Sequence, residues 1–180
     1  MATRITHLEA VAPARPLLIL DVDGVVLPYL PNLYRGDAPP GFRDARAWGF
    51  NVWVPEHLPP ALRALAEVFD MAWCTDWEDA ANSEVSPLFG LPTDLPVLHP
   101  DRRGTRGWWK LAAVQEFAGD DHPLVWADDH MTSAARRWAS IRTAPTLLLR
   151  PPDDRGLSAR QVALIAGFGT RQRLRQSAQR

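Results

Sequence analysis

Residues 16–26 read Pro16-Leu17-Leu18-Ile19-Leu20-Asp21-Val22-Asp23-Gly24-Val25-Val26, and this stretch decides the fold. Four consecutive aliphatic residues running straight into acids are the pattern of a strand buried on both faces, with its carboxyl end at solvent. Two further stretches repeat it: Phe69–Thr75 (FDMAWCT) is followed by Asp76, and PLVWAD at 123–128 is followed by Asp129. Residues 145–149 (PTLLL) form another strand candidate, and Leu95–His99 (LPVLH) a short one. Helical spacing fills the intervals, in PPALRALAEVF from Pro59, WWKLAAVQEFAG from Trp108, Ser133–Ser140, and GLSARQVALIAGFG, where Ser158 is the expected N-cap and Gly169 the expected stop. Strands alternating with helices imply an α/β three-layer sandwich on a mainly parallel, Rossmann-like sheet. Ligands of such sheets bind beyond the carboxyl ends of the strands, so the three acid-tipped strands are expected to converge there.

The remaining segments subdivide one domain, residues 1–170, and add no second. Prolines at 28, 31, 39 and 40, with Gly36 and Gly41, exclude a long helix there, and Ala45–Val54 reads as a hairpin around Gly49. Residues 25–55 are therefore a flap, too short for a cap domain. Residues 77–90 look helical but are interrupted by Pro87 and Gly90, and RQRLRQSAQR at 171–180 reads as an arginine-rich flexible tail.

A chain of 180 residues with 46% hydrophobic and 23% charged residues supports one core, which excludes wholesale disorder. The formal charge of −1 excludes a protein built throughout as a polyanion binder, leaving only local basic patches. The single Cys74 cannot form an intramolecular disulfide and fits a reducing compartment. No apolar run approaches the ~20 residues of a membrane span, and the N-terminal run lacks a signal-cleavage pattern, so a cytoplasmic protein with no membrane partner is expected. Of the 20 basic residues 19 are arginine, so the one lysine, Lys110, draws attention to a position where a compact ammonium is needed.

Asp21 and Asp23 lie two apart on an extended backbone and face one side, with Gly24 free to turn the chain away. Two carboxylates at one point require a cation or a proton between them. A hard ion such as Mg²⁺ takes carboxylate, carbonyl, water and phosphate oxygens, and Asp128 or Asp129 completes its shell. An aspartate is a competent nucleophile toward phosphorus, and hydrolysis through an aspartyl-phosphate needs a second group to protonate the leaving oxygen, for which Asp23 is placed. Thr75 offers a hydroxyl, and Lys110 an ammonium, to the phosphoryl group.

LLILDVDGVV resembles the first signature of the haloacid dehalogenase (HAD) superfamily of phosphotransferases, an Asp-x-Asp-Gly-Val or Thr pattern after an apolar strand. MAWCTDW resembles the second, Lys110 at a helix start the third, and VWADDH the fourth; they occur in order over residues 16–129. The resemblance implies a Mg²⁺-dependent phosphatase with Asp21 as nucleophile and Asp23 as acid/base. Thr75, with Asp76 and Lys110, would hold the substrate phosphate, and Asp21, Asp23 (through its carbonyl), Asp128 and Asp129 the metal. The intervals are too short for a cap, so the likeness is to small capless members, and the outline is similar to HAD domains of bacterial RNA-repair systems. The implied partner is a phosphorylated small molecule or nucleic-acid end; the rival reading is a non-catalytic phosphate-binding module on the same fold.

Other side chains divide between packing and recognition. Trp73, Trp126 and Trp138 read as core, whereas Trp48, Trp53 and Trp77 lie near the expected site, as a base-stacking surface or as a cluster under the flap. His130, beside the acid pair, reads as a neighbour of the site; Cys74 alternates away from Thr75 and reads as a packing thiol. Arg102, Arg103, Arg106 and the tail arginines form either a solvated surface or phosphate contacts.

Overall fold

The computed structural model describes residues 15–29, 37–99 and 108–178. Four short strands, β1 (Leu17–Leu20), β4 (Asp70–Trp73), β5 (Leu124–Ala127) and β6 (Thr146–Leu149), form a wholly parallel sheet in the order β4-β1-β5-β6. The flap contributes β2 (Phe42–Ala47) and β3 (Phe50–Pro55), paired antiparallel. Their connection is the two-residue turn Trp48-Gly49, with φ of +50° and +80°, the left-handed geometry that matches strand twist in tight hairpins. The flap is anchored, because Val52 and Val54 belong to the core.

Period-two alternation sends the strand side chains to two apolar clusters. Leu18, Leu20, Met71, Trp73 and Val125 pack with Leu58, Leu62 and Leu65 of α1 (Leu58–Ala66) and with Ile165 and Phe168 of α5 (Ala159–Ala178). Leu17, Ile19, Ala72, Cys74, Leu124 and Trp126 pack instead with Val114 and Ala118 of α3 (Trp109–Ala118) and Ala135 of α4 (Ser133–Ile141). An α/β architecture on a parallel sheet is thus present as expected.

Four local expectations need correction, the last of them at Gly169. Residues 77–90 hold a π-helical turn, Ala81–Val85, then α2 (Ser86–Phe89), which Gly90 ends at a left-handed φ of 65°. Leu95–His99 supplies only a bridge between Val97 and Trp73, because Pro96 has no N–H to extend a ladder; its carbonyl accepts from Trp73 and Leu98 donates back. Residues 171–178 are not a flexible tail: α5 continues through them, with Gln172 buried.

Ser158 does cap α5, in a reciprocal box with Gln161, but Gly169 does not stop it. The glycine is there for closeness: a Cβ at 169 would fall 2.6 Å from Val68 Cγ1 and 2.8 Å from Phe69 Cε2. Gly169→Ala is therefore expected to destabilise by ~1–3 kcal/mol through overpacking. At Gly167 the nearest atom to an added Cβ is the mobile end of Arg171 at 3.4 Å. Gly167→Ala should stabilise by about 1 kcal/mol through helix propensity. Thermal melts of the two variants check the contrast, and shifts of the same sign would refute it.

Candidate active site

Leu20 is in register with Trp73 on one side and Ala127 on the other, so Asp21, Cys74 and Asp128 leave the sheet in one row. From β1 the chain goes out to β4, then returns past β1 to β5 and on to β6. The order reverses between β1 and β5, where an open α/β sheet leaves a crevice beyond its carboxyl ends. Asp21 and Asp128 stand at that crevice.

Lys110, in the first turn of α3, joins them. Its Nζ donates to Asp21 Oδ2 at 2.5 Å and to Asp128 Oδ2 at 3.1 Å, with the lysine only 5% exposed. Asp21 Oδ1 accepts from the Val22 N–H at 2.7 Å, and Asp128 Oδ1 from the His130 N–H at 2.8 Å. All four carboxylate oxygens therefore have donors, which fixes both groups in one orientation. Asp129 is the third acid, and one oxygen each from Asp21, Asp128 and Asp129 lie within 4.8 Å of one another. The turn at Gly24 (φ +69°) makes room for it: a Cβ there would lie 2.8 Å from Asp129 Cβ and Cγ. No L-side chain fits that approach without moving Asp129.

The electrostatics show a deficit of positive charge. Burial pushes the Asp21 carboxyl up to about 7 even with Lys110 beside it, and Asp128 adds to the rise. Burial likewise raises Asp23 and Asp129, Asp129 with further help from Asp128. Burial pulls Lys110 down, yet Asp21 and Asp128 together hold it above its ordinary value. One ammonium thus serves a site in which Asp21, Asp23 and Asp129 all resist ionisation. Their all-oxygen, partly solvent-open donor set fits a hard divalent cation such as Mg²⁺. Asp129 lines the cleft and Asp128 is fully buried beside it; the oxygens of Asp21 and Asp128 each accept one protein donor and keep a lone pair for a cation. The Asp23 side chain lies outside the three-acid group.

Asp23 has a different partner. Its Oδ2 accepts from the Trp77 indole N–H at 2.9 Å, and Trp77 packs on Trp48, with ring centroids 5.6 Å apart. Trp48 sits at the hairpin tip, 58% exposed, its backbone N–H held by Glu84 at 2.8 Å. The flap therefore reaches the acid through two indoles. Trp53 does not take part: it is buried in β3 and lines another groove.

The cleft has a volume of about 350 Å³, and Tyr29, Asp76, Trp108 and His130 complete its walls around Asp21, Asp23, Lys110 and Asp129. Thr75 is fully buried and is not among the residues lining the cleft; its Oγ1 accepts from the Trp77 N–H at 3.3 Å. Asp76 is exposed in the cleft and accepts from the Trp109 indole at 3.2 Å. Cys74 is buried against the α3 side, and burial pushes its thiol up, as suits a packing residue. Arg102, Arg103 and Arg106 lie outside the described residues.

The sequence reading missed the aromatic wall. Trp108 stacks on buried Trp126 at 5.0 Å and meets the His130 ring edge-on, yet WWKLAAVQEFAG read only as a helix. Two tryptophans immediately before the sole lysine were the available signal. No family model matches this chain, and no curated protein is similar to it at a significant level. No helix among the described residues is long and apolar enough to cross a membrane.

Proposed function

We propose that the cleft hydrolyses phosphate monoesters with Mg²⁺, through an aspartyl-phosphate on Asp21, on a three-layer HAD-like fold in a cytoplasmic protein. One observation carries the reading: the single lysine of the chain, buried, bridges Asp21 and Asp128 while Asp129 and Asp23 border the same small cleft. A structural ion pair has no use for the extra acids, and leaving them together costs stability unless a cation and a phosphoryl group are to be bound.

The roles follow from the atoms. Asp21 Oδ forms a bond to phosphorus as the bond to the leaving oxygen breaks, its electron pair staying on that oxygen. Asp23, whose carboxyl is raised above the usual carboxylate range by its partial burial, gives the leaving oxygen its proton. A water then attacks phosphorus, surrendering its proton to Asp23, and the bond to Asp21 breaks. Lys110 offsets the charge on Asp21 and on a phosphoryl oxygen, and the Trp77 indole holds Asp23 in place. Asp21, Asp128, Asp129 and the Asp23 carbonyl would hold Mg²⁺, which supplies charge neutralisation for the phosphoryl group.

Thr75 contributes by shaping the loop that carries Trp77, and Asp76, in the cleft wall, by holding the Trp109 indole beside Lys110. A polynucleotide end is the second candidate substrate, favoured by the aromatic wall of Tyr29, Trp108 and His130, on which a base or sugar can rest. The test is a screen of phosphorylated metabolites, nucleotides and 3′- or 5′-phosphorylated oligonucleotides, with Mg²⁺ and with chelator. Metal-dependent release of phosphate is the expected result. Phosphate binding without turnover of any ester would favour the non-catalytic module.

A further inference from the structure

A groove of about 940 Å³, far larger than the catalytic cleft, lies between the flap and the segment joining β6 to α5; Phe42, Trp53, His57, Arg155, Arg160 and Leu164 are among its walls. Its charge is one-sided, because Arg150, Arg155 and Arg160 face it against the single carboxylate of Asp154. Asp154 approaches Arg155 at 3.7 Å with both side chains largely exposed, which neutralises little. Arg160 has no acidic partner among the described residues. Such a concentration of arginine in a chain of net charge −1 marks a place for anions.

Two hydrogen bonds tie the groove to the cleft. Arg150 follows β6 as Asp128 follows β5, at the same edge of the sheet, and its Nε donates to the Asp129 carbonyl at 2.7 Å. Tyr29, in the cleft wall, donates its N–H to the Asp153 carbonyl at 2.7 Å, next to groove residue Asp154. The Arg150 wall of the groove is thus bonded directly to Asp129 of the cleft wall.

We propose that this groove binds the following nucleotides of a single-stranded oligonucleotide whose terminal phosphate occupies the Asp21 cleft; the proposal rests on the phosphohydrolase reading and names its substrate class. A mononucleotide has no second phosphate for Arg155 and Arg160 once its own is in the cleft. An acidic peptide would meet the arginines but gives the Phe42 ring in the groove wall no planar partner. A phosphodiester chain supplies both, with charge for guanidinium groups and flat bases for ring and guanidinium faces.

The experiment measures anisotropy of a labelled single-stranded oligonucleotide on the full chain carrying Asp21→Asn, with and without a terminal phosphate on the probe. It is repeated with Arg155→Glu and Arg160→Glu added together. The two charge reversals should weaken binding by at least about tenfold and reduce the slope of log affinity against log salt by about 1.4, for two lost phosphate contacts. In an otherwise wild-type chain the same reversals should leave hydrolysis of a small aryl phosphate and the melting temperature unchanged. The proposal is overturned if the oligonucleotide does not bind, if the reversals leave affinity and salt slope as they were, or if a mononucleotide or an oligo-glutamate peptide competes as well as unlabelled oligonucleotide. Arginine-dependent binding in a protein that hydrolyses no ester would sink the phosphohydrolase reading alone. Ester hydrolysis with binding indifferent to the arginines would sink the groove alone.

Discussion

Asp21→Asn should lower turnover of any phosphate ester by at least ~1,000-fold, some 4 kcal/mol of transition-state stabilisation, in a protein that remains folded. The amide keeps the shape of the carboxylate, but its single oxygen can accept from the Lys110 ammonium or from the Val22 N–H and not from both, and that oxygen is a poor nucleophile. Stability should move the other way from activity. Burial raises the Asp21 carboxyl from 3.8 to about 7, so without metal the folded protein binds this proton more tightly than the unfolded chain does. The stability linked to that proton is fully present below about 4 and is lost as pH rises to about 7. Asn cannot ionise, so in chelator the melting temperature of the variant relative to wild type should climb across that interval. Phosphate-release kinetics and melts at several pH values test both parts. A folded variant with substantial activity would remove the covalent route, and a relative melting temperature that falls with pH would contradict the buried-acid account.

That opposition between activity and stability explains which features were legible in the sequence. Residues 17–20 and 124–127 read as buried strands because both of their faces are covered, which leaves a continuous aliphatic signal instead of an alternating one. The acids at their ends stood out because a carboxylate following such a run has few structural uses, and the register of β1 with β5 brings Asp21 and Asp128 together as their positions implied. Lys110 was legible through its uniqueness among the basic residues and its place at a helix start. Gly169 was misread because a glycine used for close helix contact looks, in sequence, like one used to end a helix; Val68 and Phe69, which decide the matter, lie a hundred residues away. Separation along the chain also hid the bond of Trp77 to Asp23, which spans 54 residues, and kept Trp53 grouped with Trp48 although only Trp48 packs on Trp77 while Trp53 lines the other groove. The arginine groove was invisible for a related reason: Arg150, Arg155 and Arg160 are spaced for no single element, and only the loop from β6 to α5 sets them against Phe42 and Trp53.

Lys110→Arg is expected to reduce turnover by at least ~10-fold, and misplacement of the nucleophile by ~1 Å would extend the loss toward a hundredfold. Charge is kept in this exchange, so the effect isolates shape. The Nζ sits 2.5 Å from Asp21 and 3.1 Å from Asp128, in a site that leaves the lysine 5% exposed. A planar guanidinium is wider than an ammonium and presents its donors in a fixed fork, so it cannot bond both oxygens from the same point without moving one of the acids. The Trp109 ring, 6.0 Å from Nζ, and the stacked Trp108–Trp126 pair beside the same helix start restrict where the larger group can go. Overpacking of ~1–3 kcal/mol should accompany the kinetic loss, so kinetics belong well below the melting temperature of each preparation. Lys110→Met separates the two contributions: it relieves the crowding, leaves Asp21 and Asp128 facing each other without a cation, and should be slower than the arginine variant at neutral pH. An arginine variant with wild-type kinetics would reduce Lys110 to a general cation. A methionine variant as fast as the arginine one would show that charge at this point contributes nothing to the chemical step.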